Sequence, residues 1–205
     1  MDTLIIEKKN EVYITVDCDP NVQRELSEFF TFYVPGYKFM PAFRNRMWDG
    51  KIRLFSQKTK EIYFGLFPYI KAFAEEREYH IVCGKDVEVK NKVDKDIVEK
   101  FSNSLGQKFE ARDYQVDAIY HSLKYNRALL LSPTASGKSF IIYALIRYYT
   151  HLIKDETNNR ILLIVPTTSL VEQMYSDFKS YGWNVEKNCH RLYSGYSNQT
   201  DKKVL

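Results

Sequence analysis

A loop of small residues lies between two apolar segments in LLLSPTASGKSFII, residues 129–142. The first segment predicts a short buried strand and the second a helix, so N–H groups of the loop can converge at a helix N-terminus, which favours anions. Gly137 permits backbone angles that a Cβ would oppose, Lys138 can reach the terminal phosphates of a nucleotide, and Ser139 can ligate Mg²⁺. The spacing predicts a site for ATP and Mg²⁺. Its residues are Thr134, Ala135, Ser136, Gly137, Lys138 and Ser139.

The loop departs from the full phosphate-loop pattern at one position. That pattern has a glycine five residues before Gly137, where this chain has Ser132. The alternative interpretation is a glycine-containing turn that caps a helix, with Lys138 exposed by chance. The predicted strand and helix on either side favour the phosphate loop.

A glutamine upstream of the loop is a second candidate for nucleotide binding. Gln115, in FEARDYQVDAI, precedes Lys138 by 23 residues. Its amide offers a donor and an acceptor together, which suits the edge of an adenine base. Taken alone, Gln115 is better explained as a solvent-facing residue of a helix. The hypothesis depends on its combination with the phosphate loop.

A segment rich in hydroxyl groups follows the next apolar run, ILLIV, which predicts another buried strand. PTTSLVEQ, residues 166–173, begins where that strand would end. Ligands of open α/β sheets bind at this edge, and hydroxyl or amide donors suit phosphate oxygens without base preference. The alternative is that Ser and Thr cap the following helix, and both can hold at once.

Basic and aromatic residues alternate in the segment 37–60. The segment contains seven basic residues and a single acidic residue, Asp49. The aromatic residues Phe39, Phe43, Trp48 and Phe55 lie between the basic ones in the sequence. Cations for phosphates and aromatic faces for bases are typical of a nucleic-acid surface. The alternative is a hairpin with solvated charges, in which Trp48 and Phe55 belong to the core. The residues predicted to bind are Lys38, Arg44, Arg46, Trp48, Lys51 and Arg53.

The chain divides into three parts by composition and periodicity. Residues 1–84 predict a small α+β domain with a strand in EVYITVD, a helix after Asp19, extended pieces near 37–40 and 51–55, a helix near 66–79 and a strand in HIVC. Residues 85–108 are charged and predict a linker or a solvated connecting helix. Residues 109–205 alternate helix and strand, including a possible strand in CHRLYSG, as in a parallel α/β sheet.

Bulk composition excludes several classes of protein. The net charge is +4 from 30 basic and 26 acidic residues, so local clusters rather than total charge indicate a nucleic-acid partner. The three cysteines lie far apart and form neither a zinc pattern nor a disulfide framework. Neither a signal peptide nor an apolar run of about 18 residues is present, which predicts a cytoplasmic protein without membrane contact.

Three motifs occur in an order that resembles the superfamily-two helicases. They are RDYQ, PTASGKS and VPTTSLVEQ. The resemblance implies that Arg112 and Gln115 contact adenine and that residues 134–139 hold the phosphates and metal. It also implies that a strand-contacting loop touches the nucleic-acid backbone through Pro166, Thr167, Thr168 and Leu170. The implied fold class is α/β, a small N-terminal α+β domain followed by a partial RecA-like P-loop domain with a parallel sheet.

The first 84 residues narrow the resemblance. FMPAFR, WDGKIRL and FGL are similar to the N-terminal domain of phage helicases that act on branched DNA, and the similarity spans nearly the whole chain. It implies ATP-driven remodelling of recombination junctions and stalled forks, with branched DNA as the partner and the host-cell cytoplasm as the location.

Two helicase features have no match in 109–205. We find neither an Asp-Glu pair on an apolar strand nor a second RecA-like domain; Asp155 and Glu156, for example, lie in a connector after a helix. We therefore expect weak nucleotide binding, little or no hydrolysis, an exposed apolar edge beside the phosphate-loop strand, and a separate C-terminal helicase half as a partner. The alternative functions are a DNA-binding accessory module with an inactive nucleotide site and, less well supported, a small-molecule kinase, which explains neither Gln115 nor PTTSL.

Overall fold

A computed structural model describes residues 2–87, 91–153, 159–197 and 199–205. The chain forms two compact units, Met1–Val89 and Lys90–Leu205. The connector that contains Asp155 and Glu156 lies outside the described residues.

The first unit is a four-stranded sheet covered by helices. Its sheet has the strand order Glu61–Tyr63 (β5), Tyr13–Asp17 (β2), Thr3–Lys8 (β1) and His80–Cys83 (β6). In this sheet β1 pairs antiparallel with β2 and parallel with β6. The elements are β1 Thr3–Lys8, β2 Tyr13–Asp17, α1 Pro20–Phe29, β3 Thr31–Tyr33, α2 Pro41–Arg44, β4 Lys51–Arg53, β5 Glu61–Tyr63, α3 Phe67–Glu76 and β6 His80–Cys83.

Local sequence signals explain most of these elements. The predicted strand in EVYITVD is β2, and Ile14 and Val16 alternate into the core as period two requires. The Asp19 carboxylate accepts a hydrogen bond from the N–H of Asn21 (3.1 Å), and Pro20 opens α1. The predicted second helix and final strand are α3 and β6.

One prediction in this unit is wrong. The extended piece expected near residues 37–40 is a 3-10 turn, Tyr37–Phe39, followed directly by α2. Gly36 precedes the turn with φ +72°, a left-handed conformation that glycine adopts readily, and Pro41 opens α2. The extended piece predicted near 51–55 is β4, which pairs antiparallel with β3 as a separate ribbon.

The second unit is built on packed helices. Its core contains Ile119, Phe140, Tyr143 and Phe178, all buried. The helices are α4 Lys95–Asn103, α5 Asp113–Tyr125, α6 Lys138–Leu152, α7 Thr168–Ser180 and α8 Val185–Asn188. The charged segment predicted as a linker or solvated helix therefore contains α4, which buries Val98 in this core.

Parallel pairing in the second unit is short. Ile161 and Cys189 each form a parallel bridge with Val204, so parts of ILLIV and CHRLYSG lie beside the C-terminal residues. The Ile161 N–H donates to the Lys203 carbonyl (2.8 Å) and the His190 N–H to the Val204 carbonyl (2.8 Å). These pairings have the parallel direction that the sequence predicts, but they are too short to form regular strands.

The predicted buried strand before the phosphate loop is not formed. Residues 128–132 take part in no strand pairing with other described residues, and Leu129 and Leu131 are 84% and 88% exposed. An apolar run is buried in a sheet only where a neighbouring strand satisfies its N–H and C=O groups. Leu129 and Leu131 are therefore exposed, as the sequence predicts for an uncovered apolar edge, but they do not belong to a strand.

Candidate nucleotide and nucleic-acid sites

The phosphate loop is shaped by two residues with positive φ. Gly137 has φ +79° at the N-cap of α6, and Ala135 has φ +63°. The loop thus changes direction immediately before the helix. In the first turn of α6 the Phe140 N–H donates to the Gly137 carbonyl (3.0 Å), whereas the N–H groups of Lys138 and Ser139 have no carbonyl one turn earlier in the helix. Lys138 is exposed and Ser139 half-buried at this end, while Ser136 is buried beneath the loop. This arrangement suits an anion at the helix N-terminus.

The ammonium group of Lys138 lies over the loop. Its Nζ donates to the carbonyls of Ser132 (3.2 Å) and Pro133 (2.7 Å). Ser132, which stands where the full pattern has glycine, also shares a hydrogen bond between its hydroxyl and that of Ser136. Two carbonyl oxygens therefore occupy two of the three N–H donors of this ammonium group.

Gln115 connects α5 to the phosphate loop. It is buried, and its Nε2 donates to the Ser136 carbonyl (3.0 Å) while its Oε1 accepts from the Arg112 N–H (3.0 Å). The interpretation of Gln115 as a solvent-facing residue is therefore wrong. The structure brings together two features that the sequence separates by more than twenty residues.

Tyr114 is a residue of this site that the sequence analysis did not select. Its hydroxyl donates to the Ser136 carbonyl (3.1 Å) and accepts from the Arg112 guanidinium (2.9 Å). Ser136 thus receives hydrogen bonds from two consecutive residues of α5. The available signal was position alone, because Tyr114 directly precedes Gln115 in RDYQ.

The loop at Pro166–Thr168 is exposed and ends in a helix cap. The Thr167 hydroxyl accepts from the Leu170 N–H (3.3 Å), so Thr167 is the N-cap of α7. The capping interpretation therefore holds. Pro166, Thr167 and Thr168 are all exposed, and no hydrogen bond between described residues joins them to the phosphate loop.

Side chains from the segment after α8 hold the first turns of α7 in place. Glu172 accepts hydrogen bonds from the Tyr193 hydroxyl and from the Arg191 guanidinium (2.6 Å). These two donors, the tyrosine first, hold the pKa of the Glu172 carboxyl below its ordinary value. Arg191 also lies over the ring of Tyr175, 4.3 Å from its centroid. The first turns of α7 are thus tied to the segment after α8.

The basic segment of the first unit contains two kinds of cation. Lys38, Arg44 and Arg46 are exposed, line one open hollow, and form no ion pair with a described residue, although Lys38 also lies 5.9 Å from the centroid of the Tyr37 ring. Arg53 instead forms an ion pair with Asp49, and hydrogen bonding from Arg53 lowers the pKa of that carboxyl. Lys51 is half-buried over the ring of Tyr33, 4.9 Å from its centroid.

Trp48 and Phe55 have structural roles. The Trp48 indole N–H donates to the Lys51 carbonyl (2.9 Å), and its half-buried ring lines the same hollow as the free cations. Phe55 lies in the core. Of the predicted binding residues in this unit, Lys38, Arg44 and Arg46 therefore have both the charge and the exposure that phosphate contacts require.

Gly50→Ala should destabilise the first unit by about 2–4 kcal/mol, since it combines overpacking with a strained φ. Gly50 has φ +79°, and an added Cβ would lie 2.8 Å from Cγ of Tyr37. That ring cannot move freely, because it packs against Tyr33 and Phe43 at centroid distances of 4.6 and 4.8 Å. Chemical denaturation of both proteins measures the difference.

Gly36→Ala is the matched control for this substitution. Gly36 has φ +72°, but an added Cβ would meet no atom within 4 Å. Its cost should be that of the backbone strain alone, about 1 kcal/mol. Equal losses in the two variants would contradict the argument from packing.

Known proteins resemble the chain in both units. Residues 5–84 match the family of N-terminal domains of DNA helicase UvsW, and residues 112–205 match the DEAD/DEAH box helicases. The chain is 34% identical over 174 residues to the ATP-dependent DNA helicase UvsW of Enterobacteria phage T4, a match that covers 82% of this chain. It superimposes on a crystal structure of the T4 UvsW helicase with a TM-score of 0.86, at 30% identity and with coverage of 100% of this chain and 73% of the other.

The chain belongs to the UvsW family of superfamily-two helicases. A second T4 UvsW structure gives the same TM-score of 0.86 at 31% identity, and the match covers 100% of this chain and 42% of that one. The chain spans about a third of the length of the curated T4 relative, since the match covers 34% of it. DEAD-type helicases use ATP with a divalent metal and bind nucleic acid, in agreement with the cofactors and partner that the sequence predicts. The described residues contain no helix that is long and apolar enough to cross a membrane.

Proposed function

We propose that the chain carries the nucleotide-binding and DNA-binding front part of an ATP-dependent helicase or translocase that acts on branched recombination DNA. The observation that carries the proposal is the hydrogen bond from Gln115 to Ser136 (3.0 Å). It joins an amide suited to adenine to the loop suited to phosphates, so one nucleotide can contact both. The alternative, a glycine-containing turn that caps α6 with Lys138 exposed by chance, does not require a contact between Gln115 and the loop.

The residues of the loop fit ATP and Mg²⁺. Gly137 has a positive φ, and an added Cβ at this position would overlap the side chain of Gln115. Both observations favour glycine at this point of the loop. Arg112 and Gln115 would contact the base, Thr134, Ala135, Ser136 and Gly137 the phosphates through N–H groups, and Lys138 the terminal phosphates. The described residues contain no cluster of His, Cys, Asp or Glu for a metal ion, so Mg²⁺ would rely on Ser139 and the phosphates.

Two surfaces would contact DNA. The strand-contacting loop offers Pro166, Thr167 and Thr168, although the Thr167 hydroxyl also caps α7. The first unit offers the free cations Lys38, Arg44 and Arg46 around one hollow. Both contact the sugar-phosphate backbone, which gives affinity without base preference. DNA as the substrate agrees with the description of the T4 relative as a DNA helicase. Branched DNA and the host-cell cytoplasm are proposed from the sequence resemblance alone.

Hydrolysis would need groups beyond those described. The described acidic residues form no Asp-Glu pair beside the loop, and Leu129 and Leu131 expose an apolar edge where a further strand would pair. We propose that further residues, in the same polypeptide or in a partner helicase half, cover this edge and complete the motor. The chain alone then binds ATP weakly and hydrolyses it slowly.

The experiment that tests this proposal measures DNA affinity with and without a non-hydrolysable ATP analogue and Mg²⁺. In a motor the two sites are coupled, so the analogue changes the Kd for forked DNA and DNA changes the Kd for the analogue by the same factor. Lys138→Ala should remove this coupling and leave the affinity for DNA alone unchanged. Lys179→Ala is the control, because Lys179 forms an ion pair with Glu186 on the α7–α8 side of the unit.

A second candidate is a DNA-binding accessory module with an inactive nucleotide site. The observation that favours it is the position of Lys138, whose ammonium already binds two carbonyls of the loop. DNA affinity that is indifferent both to the analogue and to Lys138→Ala would support the module and contradict the motor.

A further inference from the structure

Phe39 and Met47 are the most exposed large apolar residues among the described residues of the first unit. Their side chains are 84% and 81% exposed. Both flank α2, within the basic segment, and Met47 lines the hollow that Lys38, Arg44 and Arg46 also line. Single exposed apolar residues are common on protein surfaces, but two such residues beside a cluster of free cations need a further explanation.

The fold of this segment does not depend on either side chain. The rings of Tyr37, which precedes Phe39, and Phe43, which lies between Phe39 and Met47 in the sequence, pack against each other at a centroid distance of 4.8 Å. The backbone around Met47 is held by its N–H, which donates to the Ala42 carbonyl (2.9 Å). An ordered turn therefore presents Met47 to solvent, and the 3-10 turn that ends at Phe39 does the same for that ring.

We propose that Phe39 and Met47 contact unstacked DNA bases, so that the first unit binds DNA where base pairing is interrupted. This inference rests on the proposed function. The neighbouring cations are complementary to phosphates, which selects a nucleic acid as the occupant of the surface. Bases in an intact duplex keep their faces stacked on one another, whereas bases at a fork or gap offer free faces to aromatic and apolar side chains. The surface therefore distinguishes branched DNA from duplex DNA by its apolar residues and holds both by its cations.

The test compares two DNA probes of equal length, a fully paired duplex and a fork that carries a fluorescent base analogue at its first unpaired position. The double variant Phe39→Ala with Met47→Ala should bind the fork about tenfold more weakly, as expected for the loss of base stacking. Its affinity for the duplex should stay unchanged, and the fluorescence change of the analogue on binding should disappear. Both side chains are exposed, so thermal melting should match the wild type.

Two further variants sharpen this test. Tyr69→Ala removes an exposed aromatic residue of α3, 60% exposed and outside the basic segment, and should leave both affinities unchanged. Phe39→Trp keeps a ring that can stack and should retain the preference for the fork. Equal losses of affinity for the fork and the duplex, or no loss for either, would overturn the inference.

The proposed function fails in a different way. Wild-type protein that binds neither probe contradicts the assignment of the DNA surface itself, whereas normal binding by the double variant contradicts only the roles of Phe39 and Met47. The surface around Phe39 and Met47 could instead bind a second copy of the chain. Light scattering of the protein without DNA measures whether it forms a dimer. A dimer that dissociates in the double variant would assign these residues to a protein interface and overturn the inference.

Discussion

Replacing Lys38, Arg44 and Arg46 together by glutamine should weaken DNA binding by on the order of a hundredfold at moderate salt. These three cations are exposed and form no ion pair with a described residue, so their charge is available to phosphates. Each phosphate contact that is lost should also reduce the slope of log K against log salt by about 0.9. Fluorescence anisotropy of a labelled duplex over a range of salt concentrations measures both quantities.

The matched control neutralises three cations of the same unit that already have partners. Lys8, Lys9 and Lys60 form ion pairs with Glu11, Glu61 and Asp17, respectively. Their replacement by glutamine gives the same change in net charge, but affinity and salt slope should change little. A salt slope that stays at the wild-type value in the first variant would refute the assignment of this surface.

Gly137→Ala should weaken nucleotide binding by about tenfold or more and lower the stability of the second unit by about 1–3 kcal/mol. The new Cβ would overlap Nε2 of Gln115 and would hold a φ of +79° that alanine adopts at a cost. Because the amide is the end of a flexible side chain, it can move away. In doing so it leaves the Ser136 carbonyl and the Arg112 N–H.

Two comparisons separate the overlap from the backbone strain. Gly195→Ala has φ +99° with no atom within 4 Å of its Cβ, so it should show the strain and leave nucleotide binding intact. In a double-mutant cycle, Gly137→Ala and Gln115→Ala together should cost less than the sum of the single variants, since the first already displaces the amide. Additive losses would contradict a contact between these residues.

The phosphate loop and Gln115 could be predicted because their signals are local or tied to spacing. A glycine, a lysine and a hydroxyl residue at the start of a predicted helix are visible in the sequence. The bond that Gln115 makes was not predictable in detail, because it depends on how α5 packs on α6. The same holds for Tyr114, whose hydroxyl reaches a carbonyl 22 residues away.

The basic segment shows where composition is insufficient. The sequence predicts six binding residues. In the structure Arg53 pairs with Asp49, Lys51 lies over Tyr33, and Trp48 donates to a carbonyl. The register of β3 and β4, which places Tyr33 opposite Lys51, is set by tertiary packing. Charge and residue type therefore predict a binding surface, and the fold shows which of its cations form no ion pair with a described residue.

The apolar run before the phosphate loop has a similar explanation. Its continuous apolar character predicts a short buried strand, but burial requires a partner, and none of the described residues pairs with 128–132. Local sequence specifies the tendency of a segment to extend. The burial of Leu129 and Leu131 depends on residues elsewhere.

Calorimetric titration of the chain with Mg·ATP, Mg·ADP and AMP tests most directly whether residues 134–139 bind the phosphates of a nucleotide. The expected result is saturable binding of ATP that weakens as phosphates are removed, becomes undetectable for AMP, and is lost in Lys138→Ala. Absence of heat from ATP at millimolar concentrations, or equal binding of ATP and AMP, would contradict the account.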